Sequence, residues 1–171
     1  MKFMTRSWNC KIPSPPLMRY STIPPIEILA ASLRDVHAVH RLEKEIFLYD
    51  AYPHLDLAFL FLTPGEVNLK AVNGAGQLVG FVTGSRSWFR SLPAWIVTLG
   101  VAPAYQRQGI GRGLLLACED RLSRRRVRLT VRKSNFAAIR LYEQCGYQHL
   151  YTKPHYYRNG EDGLVMEKTR D

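Results

Sequence analysis

The chain has 171 residues, 46% of them hydrophobic, and sets 24 basic against 14 acidic side chains for a net charge of +10. That length suits one domain with an appendage, and that apolar share is enough for a buried core. No apolar run is long enough to span a bilayer, and the positive balance favours acidic partners such as a polyphosphate, a ribosomal surface or nucleic acid without choosing among them.

The three cysteines, Cys10, Cys118 and Cys145, are widely spaced and form no CxxC pair, which points away from a metal site or a disulfide framework and toward a reducing cytoplasm. Lys2 and Arg6 precede no apolar block of the kind a secretory signal needs. Residues 1–25 contain Pro13, Pro15, Pro16, Pro24 and Pro25 with basic residues and no periodicity, so they read as a basic, proline-rich arm, with Met18 an alternative start. Residues 26–171 read as the folded domain.

In that domain Ile26 to Ala30 predicts a strand. Ser32 then caps a helix with Asp35 in its first turn and an apolar stripe of Val36, Val39, Leu42 and Ile46. Asp50-Ala51-Tyr52-Pro53 interrupts it, and a short helix follows around Leu55 to Leu62. Strands at Asn68 to Val72 and Leu78 to Arg86 flank Asn73-Gly74-Ala75-Gly76, a hairpin turn. Ala94 to Val101 is a further strand, with Trp95, Val97, Leu99 and Val101 expected on one face.

Ile110, Leu114, Cys118 and Leu122 make one helical stripe, with Asp120 and Arg124 expected as an i,i+4 pair. Val127 to Val131 alternates as a strand. Ser134 or Asn135 caps a helix with Ala138, Leu141, Tyr142 and Cys145 on its apolar side, and Gly146 stops it. Two strands close the chain near Tyr147 to Tyr156 and Leu164 to Lys168. The order is β-α-α-β-β-β-α-β-α-β-β, a mixed α/β domain.

The segment from Leu99 through Gln106-Arg107-Gln108-Gly109-Ile110-Gly111 to Leu115 runs strand, glycine turn, amphipathic helix. A helix start leaves its first N–H groups unpaired and carries roughly half a positive charge, so it suits a phosphate. Gly109 and Gly111 have no side chain in the way, and Arg107 and Arg112 add formal charge.

This turn resembles the acetyl-CoA motif [Q/R]-x-x-G-x-[G/A] of the GCN5-related N-acetyltransferases. The run from Val131-Arg132-Lys133-Ser134-Asn135 to Tyr142-Glu143-Gln144-Cys145-Gly146-Tyr147 is similar to that family's second signature. The tail His155-Tyr156-Tyr157 with Gly160-Glu161-Asp162-Gly163 is similar to the subgroup that acetylates protein N-termini, including ribosomal-protein alanine acetyltransferases of the RimI type.

The resemblance, over about residues 26 to 168, implies a central mixed, mostly antiparallel sheet splayed at the acetyl-CoA site and flanked by helices. It implies that Leu99, Gly100 and Val101 line the acetyl and pantetheine arm, that Arg107, Gln108, Gly109, Ile110, Gly111 and Arg112 bind the pyrophosphate, and that Asn135 contacts the pantetheine. It makes Tyr142 the proton donor to the departing thiolate, sets Asp50 and Tyr52 toward the acceptor amine, and gives Tyr156 and Tyr157 to a peptide groove.

The chain departs from the family at Thr130, where RimI-type enzymes carry Glu, and at Trp95, where some relatives carry a catalytic Tyr; neither side chain is a base. An α-amine, with a pKa of about 7.7 to 8.0, tolerates that loss better than a lysine at about 10.4. The expected acceptor is therefore the N-terminal α-amine of a protein or peptide, a ribosomal protein included. The alternatives are a small amine such as a polyamine or amino-sugar, or a catalytically silent CoA-binding module. A membrane is not expected as a partner. Nucleic acid is disfavoured because no helix-turn-helix or RNP pattern occurs. The chain is expected as a monomer or homodimer.

Overall fold

The computed structural model describes residues 25–47, 50–87, 89 and 91–170. The expected arm thus lies outside the described residues except for Pro25. The elements are β1 (Glu27–Ala30), α1 (Val36–Phe47), α2 (His54–Leu62), β2 (Val67–Val72), β3 (Leu78–Ser85), β4 (Ala94–Val101), α3 (Ile110–Leu122), β5 (Arg126–Arg132), α4 (Phe136–Gln144), β6 (Gln148–Lys153) and β7 (Gly163–Thr169). They follow the order expected from the sequence. None of the described helices is long and apolar enough to cross a membrane.

Local chemistry accounts for most boundaries. Ahead of α1, the Asp35 carboxylate accepts from the Ser32 backbone N–H at 2.9 Å and the Ser32 hydroxyl at 3.2 Å. In the β2–β3 turn, Asn73 Oδ1 accepts from the Ala75 and Gln77 N–H groups at 3.0 and 2.9 Å. Asn135 caps α4 by accepting from the Ala138 N–H at 3.1 Å, and Gly146 leaves it with φ of +91°.

The seven strands form one sheet in the order β1-β2-β3-β4-β5-β7-β6. Every neighbouring pair is antiparallel except β4 with β5, which is parallel. Helix α3 buries Ile110, Leu114, Leu115, Cys118 and Leu122 on one face of the sheet, where Val82, Ile96 and Leu129 complete the main core. Each fully buried Leu or Ile there contributes about 1.5–3 kcal/mol. On the other face α1 and α2 pack Val36, Val39, Leu42 and Leu57 against Phe81.

Two features of the sheet position the site. The β4–β5 ladder covers only Ala94 to Ile96 against Val127 to Leu129, although β4 continues to Val101 and β5 to Arg132. Beyond those three rungs the two strands separate, and their facing backbone groups are not paired with each other. In addition, the β3–β4 register skips Val97, because Thr83 pairs with Thr98 and Gly84 with Ile96.

This bulge corrects the expected single face of Trp95, Val97, Leu99 and Val101. One extra residue inverts the alternation. Leu99 and Val101 join Ile96 in the core beneath α3, whereas Trp95 turns to the opposite side, toward Lys153.

A second correction concerns charge. Asp120 does not pair with Arg124: α3 ends at Leu122, Asp120 pairs with Arg170, and Arg124 donates to the Ser87 carbonyl at 2.9 Å. Two other arginines of that segment also disperse, Arg126 to the Ser91 carbonyl at 2.7 Å and Arg128 to Glu167 at 2.5 Å.

Candidate active site

At the end of β4 the chain turns through Arg107 and Gly109, whose φ angles are +61° and +83°. Alternating left-handed residues turn successive N–H groups toward one side, the geometry of an anion-binding nest. Gly109 is the N-terminal cap of α3, and the first helical bond runs from the Gly113 N–H to the Gly109 carbonyl at 2.9 Å. The N–H groups of Ile110, Gly111 and Arg112 are therefore free of helical partners.

A Cβ on Gly109 would meet nothing within 4 Å, so glycine is needed there for its backbone angle, and the space in front of it is open. The Gln106 side chain fixes the turn by donating to the Val101 carbonyl at 3.0 Å. Arg107 and Arg112 are exposed beside it. An open, donor-rich and cationic turn of this kind fits a pyrophosphate.

Next to it, in the gap between β4 and β5, lies a cleft of about 670 Å³. It contains Leu99, Asn135 and Tyr142 from the α3–α4 side of the sheet, and Asp50, Tyr52, Tyr156 and Tyr157 from the opposite side. The cleft thus passes through the sheet where the strands part. Gly100 and Val101 do not line it. Val101 is buried in the core, and a Cβ on Gly100 would approach Phe81 and Ile46 at 2.8 and 2.9 Å, so Gly100 lets α1 close onto β4. The pyrophosphate-turn residues, from Arg107 to Arg112, lie beyond the lining of this cleft.

The sequence reading missed several of its residues, Glu43 and Arg132 foremost. Glu43, on α1, is 1% exposed and lines the cleft. Its carboxylate accepts from the Thr98 hydroxyl at 3.0 Å and from the Tyr52 N–H at 3.2 Å, and no cation pairs with it among the described residues. The Val97 bulge is what turns Thr98 toward it. Burial pushes the Glu43 carboxyl up to about 7, against the opposing pull of its two hydrogen bonds.

The other buried glutamate, Glu119, is arranged differently: Lys168 Nζ lies 2.6 Å away and the Tyr147 hydroxyl donates at 2.9 Å. Glu119 is a satisfied structural group, whereas Glu43 is a buried carboxylate beside a cleft. A signal for it existed, because Glu43 falls four residues after Val39 and seven after Val36, on the buried stripe of α1.

Arg132 is the second omission. It forms ion pairs with Asp50 and with Glu161, the latter at 2.5 Å, and its guanidinium lies 4.1 Å from the centre of the Tyr157 ring. It thereby ties the α1–α2 loop to the β6–β7 loop across the cleft. Asp50 is held in this bridge rather than standing free. Glu161 is held down at about 2 by the hydroxyl and N–H of Ser134, with Arg132 adding to the effect.

Tyr142 is buried on α4 at the cleft, and burial pushes its hydroxyl up to about 12, with Cys145 adding to it. It therefore keeps its proton at neutral pH. Trp95 and Thr130 both line the cleft and offer no base. Cys118 and Cys145 are buried free thiols.

Such a splayed β4–β5 pair beside a donor-rich turn defines a class. The Acetyltransferase (GNAT) family model matches residues 33–147, and the chain belongs to that family. It is an N-acetyltransferase.

Within the family it is 34% identical over 148 residues to the N-alpha-acetyltransferase RimI of Mycobacterium tuberculosis, covering 84% of this chain and 92% of that one. It is 31% identical to an uncharacterized N-acetyltransferase of Methanocaldococcus jannaschii, over 81% of this chain and 88% of that one. The crystal structure of the ribosomal-protein-S18-alanine N-acetyltransferase from Escherichia coli is similar at a TM-score of 0.76 and 26% identity, covering 85% of this chain and 94% of that one.

Proposed function

We propose that this chain acetylates the N-terminal α-amine of a protein or peptide, using Glu43 as the base. The reading rests on one observation: a carboxylate buried in the cleft, bonded to Thr98 and Tyr52, with no cation paired to it among the described residues, so that burial pushes it up to about 7. A base of that strength takes a proton from an α-ammonium of pKa about 8 at a cost of roughly 1 kcal/mol. From a lysine at about 10.4 the cost is several-fold larger, roughly 5 kcal/mol. The similarity to the Mycobacterium tuberculosis N-alpha-acetyltransferase RimI supports the same acceptor class.

Acetyl-CoA supplies an activated acetyl thioester. The N–H groups around Gly109, with Arg107 and Arg112, hold its pyrophosphate, and Asn135 and Leu99 border the arm. Backbone N–H groups of β4 left unpaired past Ile96 are the donors available to a polarised carbonyl oxygen. Glu43 takes the proton leaving the nitrogen as the new N–C bond forms. Tyr142 donates a hydrogen bond to the sulfur as the C–S bond breaks. With its hydroxyl near 12, Tyr142 stabilises the thiolate and leaves its final protonation to solvent.

The test is a peptide that carries both a free α-amine and an internal lysine, incubated with acetyl-CoA and read by tandem mass spectrometry. The acetyl group is expected on the α-nitrogen. Faster modification of the lysine side chain, or of spermidine, would overturn the reading.

A further inference from the structure

The acceptor side of the cleft carries a charge that the reaction itself does not require. Of its two carboxylates, Asp50 is paired with Arg132, and Glu43, beside Thr98, has no paired cation among the described residues. At Trp95 the charge is positive. Lys153 Nζ lies 4.7 Å from the Tyr156 ring centre and 5.4 Å from that of Trp95, all three residues lining the cleft. Two aromatic faces hold an ammonium in position, but they do not neutralise it.

Arg158 lines the cleft as well. Neither Lys153 nor Arg158 forms an ion pair among the described residues. Arg132 presents the contrast. It also lies over a tyrosine, but two carboxylates compensate it, so it has no charge to offer a ligand.

Distance converts this into a specificity. The amine must reach Glu43, which is bonded to Thr98. Trp95, beneath Lys153, is two rungs further along the β3–β4 ladder, because the bulge sets Thr98 against Thr83 and Trp95 against Ser85; that is about 7 Å at the strand rise of about 3.3 Å per residue. An extended acceptor peptide has the same rise, so Lys153 stands opposite the side chain about two residues beyond the α-amine.

We propose that Lys153, with Arg158 also lining the cleft, selects protein N-termini that carry an aspartate or glutamate at the third position. This rests on the α-amine reading above, and deepens it by naming the substrate class. The peptide is bound as a dipole, with its amine toward Glu43 and its carboxylate toward the Lys153 ammonium. A surface-exposed pair would add little, but a cation fixed between two rings has already lost much of its side-chain entropy.

The experiment uses peptides identical except for Asp, Asn or Lys at position three, with kcat and KM measured separately at low and high salt on the full chain. The Asp peptide is expected to exceed the Lys peptide in kcat/KM by about five- to tenfold at low salt, mainly through KM, and high salt is expected to compress the ratio. Lys153→Glu is expected to invert the order and Lys153→Arg to preserve it.

Equal kcat/KM for the three peptides, all acetylated on the α-nitrogen, would overturn this inference and leave the α-amine reading intact. So would an order that Lys153→Glu leaves unchanged. Absence of α-acetylation in every peptide would overturn both.

Discussion

The proposed pyrophosphate turn and the cleft beside it are built by different means. The turn is backbone: left-handed angles at Arg107 and Gly109 and the unpaired first turn of α3, all from one short stretch of chain. The cleft is lined by side chains that arrive from α1, β4, β5, β6 and the loops between them. Arg132 alone joins residues 82 and 29 positions away. Backbone recognition tolerates many side-chain changes but is sensitive to conformation. The cleft is the reverse.

Substitutions can break this contrast, and the largest effect is expected at Glu43. Glu43→Gln keeps the shape and the hydrogen-bonding oxygen but removes the base, so kcat/KM at pH 8 should fall by about 10²–10³ with acetyl-CoA binding unchanged by calorimetry. In the turn Gly109→Val imposes a branched side chain on a φ of +83°, though nothing obstructs its Cβ. It should raise the KM for acetyl-CoA at least about tenfold and cost about 1–2 kcal/mol of stability, both through the backbone.

Tyr142→Phe should lower kcat by about tenfold and leave both KM values near those of the wild type, the signature of a contact made as the C–S bond breaks. Stability sharpens the contrast further. Glu43 titrates near 7 in the folded chain and near 4.5 when unfolded, so the native state binds more protons between those values and loses stability as pH rises through them. Glu43→Gln escapes that loss. Its melting temperature should exceed the wild type's at pH 8, by the equivalent of roughly 3 kcal/mol at most, and the gain should fade toward pH 4.5.

The same division explains what the sequence reveals. The strand–turn–helix at Gly109, the Asn135 cap and the Gly146 stop follow from residues next to one another, and the structure has them where local chemistry puts them. The Val97 bulge carries no local mark, yet it alone moves Trp95 off the face of Leu99 and brings Thr98 to Glu43. The Asp120–Arg124 pairing fails because a helix end and a distant arginine, Arg170, intervene. Glu43 is legible only when α1 is counted by its buried stripe and the charged residue on it is noticed. Arg132 stands in plain view within the family signature, but its two carboxylate partners are a matter of tertiary structure.

The most direct test of Glu43 as the base is the pH dependence of kcat at saturating peptide and acetyl-CoA, in the wild type and in Glu43→Gln. The wild type should gain rate with rising pH through an ionisation near 7, because only the carboxylate form accepts the proton, and the variant should lack that limb. The same limb in the variant, at comparable rate, would contradict it.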